Sequence, residues 1–369
     1  MTTRKVPFFD YPRLWTDRKE FLIQTIDNTA SSGGFIMQKS LFNFEKSLGQ
    51  FVNSPFALGV GNATDAMEIF LQAIGLEQGD EVIISSHTMI ATASAIISAG
   101  GTPIPVDIGP DGLMDIDSMC DAINSKTVGI MPTQLNGRTC KMDKIIHEVE
   151  KRNLFLVEDA AQALGSKYKD KSAGTFGLAS CISFFPAKVL GCIGDGGGLL
   201  SSDEDIYNKC YQIRDHGRDQ EGEILCWGRN SRLDNIQAEL LNVSLSDYGN
   251  IIKRRREIAQ IYQELLGDIE QLNLPPSPFE DEDHFDIYQN YELVAEDRDK
   301  LKEYLAHNEI GTLIQWGGTA IHHFKQLGFS QHLENTDKFF EGCLMIPMNV
   351  FLDDDDVEYV SSKIKAFYS

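Results

Sequence analysis

Between about residue 55 and residue 200 the apolar positions follow two alternating rhythms. Met67, Phe70, Leu71 and Ile74 fall at i, i+3, i+4 and i+7, with Gly75 as a stop, so this stretch predicts an amphipathic helix. Glu81-Val82-Ile83-Ile84 predicts a buried strand, and Ile90 to Ser98 another helix. Thr102-Pro103-Ile104-Pro105-Val106 predicts a short strand whose prolines suit a sheet edge or a strand end. Val128 to Met131 and Leu154 to Val157 predict two more buried strands, separated by a helical stretch from Met142 to Lys151. Alternation of this kind implies an α/β domain whose mostly parallel sheet is covered by helices on both faces.

The texture changes after about residue 245. Ile258, Ile261, Tyr262 and Leu265 mark a long charged helix ending near Gly267. Pro275-Pro276-Ser277-Pro278 reads as a linker or turn, and Tyr288 to Ala295 as a strand. A helix from Asp299 to His307, a strand from Thr312 to Trp316 and a terminal helix near Val357 to Phe367 complete an α+β unit. The expected organisation is a large α/β domain over residues 1–245 and a smaller C-terminal one over 246–369.

The formal net charge of −22 leaves no basic stripe to displace counterions from phosphates, which excludes nucleic acid as a partner. It also means that an anionic substrate needs a locally positive site on an acidic protein. Glu280 to Asp283 and Asp353 to Asp356 read as solvated loops or a helix start, because they lack the spaced ligands and glycine of a calcium loop. The stretch Met1 to Pro7 is not followed by the apolar run of a signal peptide, and no later run suits a membrane span. Seven cysteines stand at 120, 140, 181, 192, 210, 226 and 343 without a C-x-x-C pair. Reduced thiols in a cytoplasmic protein without a metal site are the natural reading.

Three segments carry candidate chemistry, each ambiguous alone. Gly59-Val60-Gly61-Asn62-Ala63-Thr64 precedes the first helix, where exposed N–H groups and the helix dipole suit a phosphate; a Gly-rich turn that only caps a helix looks the same. It is neither a Walker loop nor a full dinucleotide fingerprint. Glu158-Asp159-Ala160-Ala161-Gln162 follows the strand Leu154 to Val157, and its acids suit a metal, a helix cap or a heterocyclic nitrogen. Lys188 lies in the apolar run Cys181 to Gly191, where burial disfavours its ammonium form and prepares the neutral amine that a Schiff base requires. Alternatively it snorkels to solvent. The turn Gly194 to Gly198 beyond it allows close backbone packing beside a bulky ligand.

Together, in order and spacing, these segments resemble the DegT-type sugar aminotransferases, within the fold type I enzymes that use pyridoxal 5′-phosphate (PLP). The family's lysine motif, S-F-x-P-x-K-x-L-G-x-x-G-D-G-G, resembles Ser183 to Gly197, and E-D-A-A-Q-A-x-G is met by Glu158 to Gly165. G-x-N-x-R-x-D is met by Gly228, Asn230, Arg232 and Asp234. The resemblance implies that Lys188 carries the cofactor as a Schiff base and then moves the proton. It implies that Asp159 pairs with the pyridine nitrogen and Gln162 with the ring's phenolic oxygen. Ala63, Thr64 and Ser183 would hold the phosphate, and Asn230 would reach the cofactor of a second subunit, so a homodimer is implied.

Three departures from the family pattern fall on the substrate side. Met89 occupies a position that is usually aromatic and stacked on the ring; a thioether can cover a ring face, and His87 is the alternative. Gln134 and Asn136 stand where many relatives have His and Tyr, at a plausible edge of the sugar pocket. Gln315 to His322, with Trp316, replaces a His-Tyr-Pro-x-Pro-x-His loop. Relatives that dehydrate sugars have His in place of the lysine, so Lys188 favours transamination. The expectation is an enzyme that moves an amino group from glutamate, or glutamine, to a keto-deoxy sugar at C3 or C4 on a nucleoside diphosphate. Its product would serve a surface polysaccharide or a glycosylated metabolite. A keto-cyclitol aminotransferase and a non-catalytic PLP-binding regulator are the rival readings.

Overall fold

A computed structural model describes residues 4–369; Met1 to Thr3, the head of the N-terminal stretch discussed above, lie outside the described residues. The strands of the first half are β1 (Phe56–Val60), β2 (Glu81–Ser85), β3 (Thr102–Val106), β4 (Thr127–Met131) and β5 (Phe155–Asp159). Two-residue strands β6 (Lys167–Tyr168) and β7 (Lys171–Ser172) follow, then β8 (Ala179–Ser183) and β9 (Gly197–Ser201). The main sheet has the order β1-β9-β8-β5-β4-β2-β3. Pairing is parallel from β8 through β5, β4 and β2 to β3, and β9 runs antiparallel to both its neighbours. Proline-bearing β3 is at the edge, where missing N–H donors cost least.

Helices α1 (Tyr11–Ser31), α2 (Lys39–Val52), α3 (Ala63–Ala73), α4 (Ile90–Ser98), α5 (Ile116–Ala122), α6 (Met142–Arg152), α7 (Glu204–Arg214) and α8 (Asn235–Ser246) surround this sheet. Both faces are buried: Val82 and Ile84 of β2 pack in one core with α3 and α4, while Ile83 between them packs in another with α5 and α6. The smaller unit contains α9 (Tyr248–Leu266), β10 (Leu272–Asn273), β11 (His284–Phe285), β12 (Tyr291–Ala295), α10 (Arg298–His307), α11 (Glu334–Gly342), β13 (Cys343–Ile346) and α12 (Asp354–Tyr368). Its antiparallel sheet has the order β10-β12-β13. Helix α9 joins both cores: Tyr248 and Ile252 pack toward α2 and α8, Ile258 and Tyr262 toward β12 and β13. We place the division between the two units within α9. Val6 pairs with Ile310 and packs in the smaller core, while α1 and α2 pack on α8 of the larger unit.

Three expectations need correction. Strand β5 runs on to include Glu158 and Asp159, since the sheet continues to bury both acids. Gly197 and Gly198 open β9 instead of lying in a turn. A Cβ at Gly197 would stand 2.3 Å from the backbone carbon of Asn62, so the glycine serves the approach of β9 to the turn before α3. The strand expected over Thr312 to Trp316 shrinks to one bridge between Leu313 and Met345, because Trp316 adopts a left-handed φ of 48°. Of the two readings of Asp353 to Asp356, the helix start is the one observed: Asp353 caps α12, where acids complement the helix dipole.

A buried ion pair fixes β1. Arg214 of α7, fully buried, pairs with Glu45 of α2. Glu45 also accepts from Gly59 N at 2.7 Å, and Arg214 donates to Gly59 O at 2.9 Å. Arg214→Ala leaves a buried carboxylate without its cation, and stability should fall by about 3–5 kcal/mol. Urea unfolding checks this: the midpoint should drop sharply for Arg214→Ala and much less for the Glu45→Gln/Arg214→Met double variant.

Candidate active site

Parallel strands end at one rim of a sheet, and ligand sites in open α/β folds lie beyond it. Here the rim carries Asp159 at the end of β5, between the residues that follow β4 and the end of β8. Its backbone is held by neighbours: Asp159 N donates to Pro132 O at 3.0 Å and Gln134 N to Asp159 O at 2.8 Å. Its carboxylate accepts from Thr92 Oγ1 at 2.7 Å on one oxygen, and from Ala161 N at 3.2 Å and Cys181 Sγ at 3.4 Å on the other. The residue is 4% exposed.

Lys188 follows the end of β8, on a loop closed by Cys192 N donating to Phe184 O and Lys188 N donating to Phe185 O. Gln289, just before β12, brackets the lysine: Val189 N donates to its Oε1 at 2.9 Å, and its Nε2 donates to Ala187 O at 2.9 Å. The backbone of Lys188 is thus held from both sides, while its amine has no hydrogen-bond or ion-pair partner among the described residues. Desolvation lowers its pKa to about 8, with the charges of Asp159 and Cys181 opposing part of that drop.

Most of the other expected cofactor contacts lie at or after the ends of strands of the same sheet. Ala63 and Thr64 are the first residues of α3, capped by Asn62, and their N–H groups have no acceptor within the helix. Ser183 is half-buried at the end of β8. The Oε1 of Gln162 accepts from Asn136 N at 3.0 Å and Asn290 Nδ2 at 3.3 Å, which leaves its amide N–H2 to offer. Met89, just before α4, is 52% exposed and open to cover a ring face. His87 is buried among Trp316, Phe339 and Phe340, with Nδ1 donating to Gly112 O. Asn230 is exposed at the base of an arm whose Ile224, Leu225 and Trp227 also face outward. A poised amine, a carboxylate, a helix N-terminus and a soft side chain on one rim fit the aldehyde, pyridine nitrogen, phosphate and ring face of PLP.

The residues expected to bind substrate divide in two. Gln134 is fully buried and committed to Glu158 Oε2 at 2.8 Å and Cys140 N at 2.6 Å. His322 is also buried, its ring between Ser86 Oγ at 2.7 Å and Asp337 at 2.9 Å. Neither has a group free for a ligand. Asn136 and Trp316 are only half-buried, and Asn136 Nδ2 donates to Glu292 Oε2 at 2.6 Å. Glu292, with Gln289 and Asn290, was missed in the sequence. For Asn290 and Glu292 the available signal was their alternation with the core-facing Tyr291 and Leu293; Gln289, before the strand, gave none.

His322, His323 and Asp337 come close enough to suggest a metal site. His323 argues against it: its Nδ1 accepts from Ala320 N, so its Nε2 carries the hydrogen donated to Asp337 at 2.7 Å. The cluster is a hydrogen-bonded strut between the short turns after Ala320 and α11.

The model of the DegT/DnrJ/EryC1/StrS aminotransferase family matches residues 16–365. A pleiotropic regulatory protein of Geobacillus stearothermophilus is 33% identical over 98% of both chains. GDP-perosamine synthase of Escherichia coli O157:H7 is 32% identical over 97% of both. The crystal structure of S. venezuelae DesV in complex with a ketimine intermediate superposes with a TM-score of 0.95 at 28% identity, covering 100% of this chain and 99% of that one.

The depressed pKa of Lys188 is open to measurement. In cofactor-free protein, capture of a carbonyl reagent by its amine should rise with a midpoint near pH 8. Asp159→Asn removes a charge that favours the ammonium, so the midpoint should move down. A midpoint that stays with ordinary lysine would mean the amine is solvated.

Proposed function

The chain belongs to the DegT/DnrJ/EryC1/StrS aminotransferase family and is a PLP-dependent aminotransferase, and from that premise we propose that it transfers an amino group from glutamate to a keto-deoxy sugar carried on a nucleoside diphosphate. The observation that carries this reading is the unpaired, depressed-pKa amine of Lys188 beside the buried carboxylate of Asp159. Lys188 also lines a cavity of about 110 Å³ whose wall holds Arg18 and Arg255 together with the acid Asp10 and the rings of Phe9, Tyr11 and Phe351.

The cofactor, when bound, supplies an electron sink that acidifies the C–H bond next to the nitrogen it holds. Lys188 would hold it through its amine, and the same amine would move the proton at the substrate carbon. Asp159 holds the pyridine nitrogen and Gln162 orients the phenolic oxygen through its amide. Ala63 N–H, Thr64 and Ser183 hold the phosphate, and Met89 excludes water from one ring face. Asn136 and Trp316 contact the sugar. Asn230, on its exposed arm, reaches the phosphate in the partner protomer of a homodimer, so each site needs both chains.

The first test is the visible absorption of purified protein before and after glutamate. A yellow band that glutamate discharges, and that a nucleotide-linked keto sugar restores, is the expected result; a restoring effect of free keto-cyclitols alone would redirect the substrate. Lys188→Ala should lose multiple-turnover activity by at least about 10²–10⁴-fold. Asp159→Asn should stay folded and lose activity by a similar order; near wild-type turnover would reduce Asp159 to a structural residue.

A further inference from the structure

Three threonine hydroxyls lead to the carboxylate of Asp159 from behind the site. Thr133 Oγ1 lies 2.8 Å from Thr88 Oγ1, Thr88 Oγ1 lies 2.8 Å from Thr92 Oγ1, and Thr92 Oγ1 lies 2.7 Å from Asp159 Oδ2. All four residues are buried. They come from adjacent parts of the rim: Thr88 follows β2, Thr133 follows β4, Asp159 ends β5, and Thr92 sits in the first turn of α4.

The direction of the chain follows from hydrogen counting. Each hydroxyl has one hydrogen. Thr92 spends its hydrogen on the carboxylate, so Thr88 must donate to Thr92, and Thr133 must donate to Thr88. Every link therefore points at Asp159, and hydrogen bonds aligned head to tail in a buried setting polarise and strengthen one another. The link to Oδ2 occupies one oxygen and sets the rotation of the carboxylate about its own bond. Oδ1 is left with the weaker contacts, the 3.2 Å N–H of Ala161 and the 3.4 Å thiol of Cys181.

We propose that Thr133, Thr88 and Thr92 form a one-way hydroxyl relay that fixes which oxygen of Asp159 is offered to the pyridine nitrogen, with Thr92 as the positioning residue. The proposal rests on the reading of Asp159 as the partner of that nitrogen. It does not depend on the sugar.

Holoenzyme variants test it with two readouts besides activity: the dissociation constant for PLP and the ¹⁵N chemical shift of the bound pyridine nitrogen. Thr92→Val keeps the shape and deletes the donor. The PLP dissociation constant should rise, and kcat of the glutamate half-reaction should fall, by roughly ten- to hundredfold. KM for glutamate should change little and the ¹⁵N shift should move, while Thr92→Ser restores all of these. Thr133→Val, at the far end, should show the same changes more weakly. The Thr92→Val/Thr133→Val double variant should be no worse than Thr92→Val, because a cut last link leaves nothing to transmit. Wild-type cofactor affinity and ¹⁵N shift in Thr92→Val would overturn the relay, as would fully additive losses in the double variant. If Thr92→Val does not fold, Thr133→Val decides: an unmoved shift and affinity in folded protein overturns the proposal. Asp159→Asn separates the two levels. If it leaves the shift unmoved, the reading of Asp159 itself fails; if it moves the shift and Thr92→Val does not, only the relay fails.

Discussion

A buried carboxylate has to be given hydrogen-bond donors, and much of this rim is arranged around that need at two consecutive residues. Glu158 and Asp159 end β5 pointing to opposite sides of the sheet, as neighbours in a strand must. Glu158 turns away from the site and collects the N–H groups of Gly174, Phe176 and Gly177 together with Gln134. Burial pushes its carboxyl up, against the pull of those donors. It therefore ties down the loop that leads into β8. Asp159 turns toward the site and takes Thr92, Ala161 and Cys181. One acid builds the frame and the other faces the chemistry, and the difference comes only from the alternation of the strand.

The smaller unit is part of the same arrangement. Arg255 on α9 is buried and donates to the carbonyls of Tyr288 and Gln289, and burial lowers its pKa to about 10. Those carbonyls fix the segment whose side chains do two jobs. Gln289 holds the loop of Lys188, and Asn290 donates to Gln162, Asn136 and Gln315. The position of the lysine thus depends on a helix far from it in sequence, through a guanidinium, a strained turn at Tyr288 with φ of 50°, and one glutamine.

Where the chain's own period carries the information, the sequence was readable. The buried runs of β2 and β4 and the full span of α4 follow from apolar rhythm alone, and so does the edge position of β3 from its prolines. Helix α1 was not read because only Leu22, Thr25 and Thr29 of its 21 residues are buried, while Trp15, Phe21 and Ile23 face outward. Strand β9 was hidden by glycines that the backbone of Asn62 requires. Lys188, Asp159 and the turn before α3 stood out because their chemistry is tied to contiguous motifs. Thr92, Gln289 and Glu292 did not, since each acquires its role only through contacts from segments distant in sequence.

The same distinction explains why the substrate side was harder to read than the cofactor side. Gln134 occupies a suspicious position but spends its amide on Glu158 and Cys140, inside the frame. Asn136 and Trp316 belong instead to one network: Asn136 donates to Glu292, Glu292 lies 3.4 Å from His87, and His87 packs on Trp316. The buried carboxylate of Glu292 takes its donors from Asn136 and Gln315, so apolar side chains at those two positions are incompatible with it. Substitutions in this pocket are therefore coupled, and one residue compared in isolation says little about the sugar. The network around Glu292 is held as one piece between β12 and the loops that follow β2 and β4.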